Sequence, residues 1–432
     1  MSSQTNDRMP AGLGRRQFTA LAAGSLLVPN IAWAKEVSGD VVLYDSVGPE
    51  LFLYHVAENS LALSRVSSVL VPATIQYVWP HPSKRILYVA YSNRSATSPG
   101  DVNGVALFSV DEMTGQLQGF GQPLQLGNRP INITVDPAGT YLLAAFNAPA
   151  ELDVYPINAD GSLGAKIQQQ APIIPGIYDH EVRVAPGGRT VILVSRGNDA
   201  TSTTPEDPGA IKVFAFHDGQ LSNEQSVAPH NGYGFGPRHL DFHPSLPLVY
   251  VSMERENELQ VFSLKDGVLS STPVFVRKTL ADPTNVRPGQ VVGPIHFSRD
   301  GRFVYLANRS DGTVEYQGKK VYIGGENSVA VFSVDPQSGE PALIQTIPTQ
   351  SYHCRTFTLH PNGNMLVTAS IAPMLVREGD TITRVSAALS VFRVRENGKL
   401  TFIKKYDVDT TKGPMFWCGL LALDAGWSSN QA

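Results

Sequence analysis

The chain has 432 residues, 42% of them apolar and 17% charged, with a formal charge of -4. This is a globular composition, and without a long basic run it excludes nucleic acid as an expected partner. Two cysteines, Cys354 and Cys418, are too few for a disulfide framework and are expected as unpaired, half-buried thiols.

The first element is a leader. "GRRQFTALAAGSLLVPNIAWAKE" opens on Arg15 and Arg16, runs through a short apolar stretch and closes on Ala32-Trp33-Ala34. This predicts a twin-arginine export signal over residues 1–34, read by the twin-arginine export machinery, and a mature domain over 35–432. The apolar run is too short and too broken by Gly and Pro for a bilayer span of ~20 residues. A periplasmic protein with no membrane association after cleavage is expected.

Residues 41–66, "VVLYDSVGPELFLYHVAENSLALSRV", read as three strands of a sheet that lacks its first. A repeat follows at a period of about 40–60 residues, the spacing of propeller blades. It combines an alternating strand, a turn with Pro or Gly, a strand ending in small or polar residues, and a V-x-V-F strand. The copies are "HPSKRILYVAYSNR…VALFSV", "VDPAGTYLLAAFNAPAELDVYPI", "VAPGGRTVILVSRGN…AIKVFAF", "FHPSLPLVYVSMERENELQVFSL", "FSRDGRFVYLANRS…SVAVFSV" and "LHPNGNMLVTAS…ALSVFRV". Each is followed by a further short strand, giving six units of four strands. The last element, "MFWCGLLAL" at 415–423, is a strand without partners of its own. Joined to 41–66 it completes a seventh blade and removes two open sheet edges. The expected fold is therefore all-β: a seven-bladed β-propeller of four-stranded blades, its ring closed by N-terminal and C-terminal strands in one blade.

The repeats align on their turn residues Pro82, Pro137, Pro186, Pro244, Arg299 and Pro361. Six positions earlier stand Gln76, Ile131, His180, Arg238, Gly293 and Arg355; ten positions later stand Ser92, Asn147, Arg196, Glu254, Arg309 and Ile371. Both sets open onto one face, the mouth of the central channel. Arg196, Arg238, Arg309 and Arg355 with His180 and Glu254 are thus expected to border one cavity. Arginine suits bidentate recognition of carboxylate or phosphate, and His or Glu in such a cleft can move protons near neutrality. His239, His296 and His353 lie near the mouth, whereas His81, His243 and His360 precede turn residues and read as turn-forming. No spacing resembles a zinc or calcium site, and no cofactor is expected. No Gly-x-Ser-x-Gly elbow occurs.

"GFGPRHLDFHPSLPLVYVSMERENELQVF", residues 234–262, resembles the "G-x-G-P-R-H…F-H-P…Y-V-x-N-E-x-x-N-x-V" signature of the seven-bladed β-propeller lactonase family. That family takes in propeller-type 6-phosphogluconolactonases and 3-carboxy-cis,cis-muconate lactonizing enzymes. "IHFSRDGRFVYLANRS" and "CRTFTLHPNGNMLVTAS" resemble its later blades, and the likeness covers most of 40–420. The resemblance implies proton transfer by His180 and Glu254. It also implies anion binding by Arg238 and Arg309, with Arg355 in the place of a further arginine. From their positions near the mouth, Arg196, His239 and His296 are expected as further substrate-binding residues. Cys354 stands where the family has proline before arginine, Met253 stands for the usual asparagine, and "VSRGND" departs from "D-L-G-x-D". The implied activity is hydrolysis, or formation, of the lactone ring of an acidic sugar-type or muconate-type substrate. The partner is then a small anionic lactone or hydroxy acid. The alternative is a non-catalytic periplasmic propeller that binds an anionic ligand or a protein. The insertions 198–210, 310–327 and 371–387 lie on the mouth face and suit either a lid or a docking surface.

Overall fold

A computed structural model describes residues 41–95 and 98–423, and the export signal expected over 1–34 lies outside them. Seven sheets radiate around a central channel. In six of them the innermost strand comes first in the chain and its neighbours follow antiparallel. The first blade, for example, runs Ile75–Pro80, Ile86–Ser92 and Asn103–Val110 outward from the channel.

Blades pack face to face, so their second strands are buried on both sides. Leu248–Met253 and Met365–Ser370 are buried along their whole length, which is why they read as near-continuous apolar runs. Outer strands such as Leu63–Leu70 are exposed along most of their length and carry polar residues. Among the described residues, seven apolar clusters fill the seven seams between neighbouring blades.

The ring closes as the sequence predicts. Cys418–Ala422 is the innermost strand of a blade whose other strands are Val41–Val47, Glu50–Val56 and Leu63–Leu70. Tyr44 pairs with Gly419 and Val42 with Leu421. Ser46 fixes the register, its Oγ accepting from the Trp417 N–H at 2.9 Å.

Two details differ from expectation. The second blade has three strands, Pro130–Val135, Tyr141–Asn147 and Ala150–Pro156. Its outer position keeps only an Ile157–Leu163 bridge and the bond from Ile167 N–H to Val154 O, 2.9 Å. The segment there runs into Pro172 and Pro175, which lack the N–H a ladder needs. The cysteines are free, as expected, but fully rather than half buried, because both start inner strands packed between blades.

His81, His243 and His360 hold their turns. Their Nδ1 atoms accept backbone N–H groups two residues on, from Ser83, Ser245 and Asn362, at 3.1–3.2 Å.

Candidate active site at the channel mouth

Each aligned inner-strand position is a β-bulge. Pairing skips Gln76 between Ile75 and Tyr77, His180 between Asp179 and Glu181, Arg238 between Pro237 and His239, and Arg355 between Cys354 and Thr356. A bulge inserts one unpaired residue and re-aims its side chain. Here it releases His180, Arg238 and Arg355 from the alternation of their strands at the channel end. In the fifth blade the irregularity falls on Gly293 and Pro294. The Arg309 guanidinium packs over Gly293, 3.4 Å from where a Cβ would stand.

These bulges, with the ends of the second strands, gather the arginines around Glu254. Glu254 Oε1 accepts from Arg238 Nε at 2.7 Å and from Arg309 Nη2 at 2.5 Å, and Oε2 accepts from Arg196 Nε. Glu254, Arg238 and Arg309 are all buried. One carboxylate thus holds guanidiniums from three successive blades, using three of its roughly four acceptor positions. The array keeps spare donors: Arg238 Nη1 and Arg309 Nε and Nη1 are buried without a hydrogen-bond partner. Buried donors are nearly always paired, so these are left open to an acceptor.

His180 lies beside the array, buried, with Nδ1 also unpartnered. Burial first, then His239, Arg355, Arg196 and Arg309, hold its pKa well below 6.5, so the imidazole is neutral at pH 7. Its ring meets that of His239 edge-on at 4.8 Å. Arg355 is half-buried, sits over the Phe416 ring at 5.6 Å, and has no carboxylate partner among the described residues. Burial and the neighbouring Arg129 push it down to about 10, which leaves it charged at neutral pH.

The structure therefore brings together His180, Arg196, Arg238, Glu254 and Arg309, with Arg355 and His239 adjoining. His296 lies deeper in the channel, its ring 4.9 Å from Phe357. Burial, followed by Arg183, pushes it down to about 3. His353 instead pairs with Asp311 at 2.9 Å. Sequence reasoning missed Arg129, whose Nε donates to Gln76 Oε1 at 2.7 Å, and the channel residues Glu181, Asn132 and Tyr77. Only the bulge, which places consecutive residues in one channel, reveals Glu181 beside His180. A cavity of about 1050 Å³ is an open groove on the turn face around Pro186 and Pro244, away from these groups.

The insertions leave from the mouth ends of the second strands. Arg255 ties 198–210 down through Asp199 at 3.4 Å and Glu206 at 2.9 Å. The hairpins Thr313–Tyr316/Lys319–Tyr322 and Met374–Glu378/Thr381–Val385 meet where Arg377 covers the Tyr316 ring at 4.0 Å. Among the described residues no helix is long and apolar enough to cross a membrane.

This architecture is shared with known proteins. The chain is 28% identical over 342 residues to the 6-phosphogluconolactonase of Bacillus subtilis, covering 77% of this chain and 87% of that one. It is 26% identical over 382 residues to the 6-phosphogluconolactonase of Pectobacterium carotovorum, covering 87% and 97%. The solved periplasmic gluconolactonase of Pseudomonas aeruginosa superposes with a TM-score of 0.66 at 19% identity, covering 89% of this chain and all of that one. Residues 44–410 match the family described as "Lactonase, 7-bladed beta-propeller", and the chain belongs to that family.

Proposed function

We infer that the protein is an exported hydrolase that opens the ring of an acidic sugar-type lactone at the channel mouth. The observation that carries this reading is the set of buried polar atoms without partners: the donors Arg238 Nη1 and Arg309 Nε and Nη1, and beside them His180 Nδ1. Hydrolysis of a lactone turns a carbonyl oxygen into an oxyanion, and donors preorganised in a water-poor cleft stabilise that charge. Arg238 and Arg309 are set to receive it, and Glu254 fixes their directions. Arg355, with no carboxylate of its own, is set to hold the anionic substituent of the substrate. The neutral His180 contacts the attacking water.

The sugar-type substrate is favoured over the muconate type by the names of the relatives, which are gluconolactonases. The periplasmic site of action rests on the twin-arginine pattern at 15–16. The test is a pH-stat assay of the mature protein on aldonolactones with and without a carboxylate or phosphate. An acidic lactone should be turned over by the wild type and at least tenfold more slowly by Glu254→Gln. Binding of the hydroxy acid with no turnover of any lactone would instead favour the non-catalytic reading.

A further inference from the structure

Below the arginines the channel holds polar groups that the assignment above leaves without a role. Glu181 and His239 come from the inner strands of neighbouring blades, Asp179–Val184 and Pro237–Phe242. His239 Nδ1 lies 3.2 Å from Glu181 Oε2. The same oxygen accepts the Leu240 N–H at 2.7 Å, and Arg183 Nη1 stands 3.7 Å from Glu181 Oε1. Glu181 is buried and held in place from three sides.

Beside this pair is a cavity of about 20 Å³ lined by His180, Glu181, His239, Asn132, Tyr77 and His296. Such a volume suits a water molecule, provided polar partners are present. Two are available. His180 Nδ1 and Asn132 Nδ2 are buried and make no hydrogen bond. Asn132 Oδ1 accepts the Val182 N–H at 3.1 Å, which fixes the amide orientation. The Tyr77 hydroxyl adjoins Asn132 across the cavity.

We propose that this cavity seats the nucleophilic water and that Glu181 and His239 form the carboxylate–imidazole pair that activates it. The proposal rests on the lactone-hydrolase reading above. With Nδ1–H donated to Glu181, His239 presents Nε2 as an acceptor. The water, held by His180 and Asn132, passes one proton to Nε2 as its oxygen bonds to the lactone carbonyl carbon. The carbonyl π pair becomes the oxyanion held by the guanidiniums. When the carbonyl re-forms, the bond to the ring oxygen breaks, and that oxygen takes the proton back from Nε2. The product is the open hydroxy acid, and His239 is again neutral. Glu181 offsets the transient imidazolium charge and acts as a positioning residue. His180 and Arg183 from the preceding inner strand, His296 from the following one and Arg355 from the inner strand Cys354–Leu359 are charged or titratable groups around His239, and Tyr77 faces Glu181 across the channel.

The experiment uses the full mature protein with Glu181→Gln, His239→Gln and Asn132→Leu, the last to fill the cavity. On a lactone that the wild type hydrolyses, each should lower kcat by about 10²–10⁴-fold while KM moves little, the usual worth of a positioned base. Histidine ¹⁵N spectra should show His239 as the Nδ1–H tautomer in the wild type, and not in Glu181→Gln. Turnover by Glu181→Gln and His239→Gln within threefold of wild type, or an Nε2–H tautomer at His239, overturns the proposal. If the wild type hydrolyses no lactone, the hydrolase reading fails on its own. The tautomer then decides whether the Glu181–His239 pair stands.

Discussion

Glu254→Gln keeps the shape of the side chain and removes the carboxylate shared by three guanidiniums. Arg196 is partly exposed and keeps Asp199 as a second partner, so its loss is worth at most about 1 kcal/mol. Arg238 and Arg309 are only 2% and 4% exposed and, among the described residues, form no ion pair with another carboxylate. Breaking a buried pair from one side costs about 3–5 kcal/mol, because the partner charge stays buried and uncompensated. Against a typical stability of about 5–15 kcal/mol, the variant should fold but be clearly weakened. It should also become anion-dependent. An anion that replaces the carboxylate returns RT ln(1 + [L]/Kd), about 2.7 kcal/mol at a hundredfold excess over Kd. The assay is urea unfolding of wild type and variant in chloride, with and without inorganic phosphate. A variant within about 1 kcal/mol of wild type, or one that phosphate leaves unchanged, would refute the idea that Glu254 is the counter-ion of the array.

Deleting residues 415–432 should abolish soluble, cooperatively folding protein. It removes Trp417, Leu420 and Leu421, all buried and worth about 1.5–3 kcal/mol each, and bares a sheet edge; a soluble truncation with unchanged melting would contradict the shared blade. His360 is pushed down to about 4 by burial, so its contribution is complete above the unfolded value of 6.5 and is lost as pH falls from 6.5 towards 4. His360→Asn should therefore lose less stability than wild type across that window, by about 1.4 kcal/mol per pH unit at most, and equal losses in urea titrations at pH 7 and pH 4.5 would count against it. Arg15→Lys with Arg16→Lys should leave the precursor in the cytoplasm, and unchanged recovery from the periplasm would rule out the twin-arginine reading.

The blade count and the ring closure were legible because each repeat carries its own turn residue and its own buried V-x-V-F strand, and because 415–423 had no other partner. The mouth cluster was legible for the same reason: equivalent positions in repeats must converge on one face. What could not be read was the pairing within that cluster. Nothing in the spacing of Arg196, Arg238, Arg309 and Glu254 says that one carboxylate takes all three guanidiniums, since that depends on side-chain reach across blades. Glu181 stayed hidden because alternation assigns it to the opposite face from His180, and only the bulge between Asp179 and Glu181 cancels that alternation. The missing outer strand of the second blade was masked by a repeat that matches its neighbours up to Pro156. The burial of Cys354 and Cys418 follows from packing between blades, which local sequence does not encode.

The most direct measurement is kcat/KM for an acidic aldonolactone with wild type, Arg238→Ala, Arg309→Ala and Arg238→Lys. A charged hydrogen bond is worth about 1.5–3 kcal/mol. At about 1.4 kcal/mol per decade, each alanine variant should lose roughly 10–150-fold. Lysine at 238 should recover only part of the loss, because the forked donor pair is gone. Wild-type protein that turns over no lactone, or alanine variants that match it, would contradict the account.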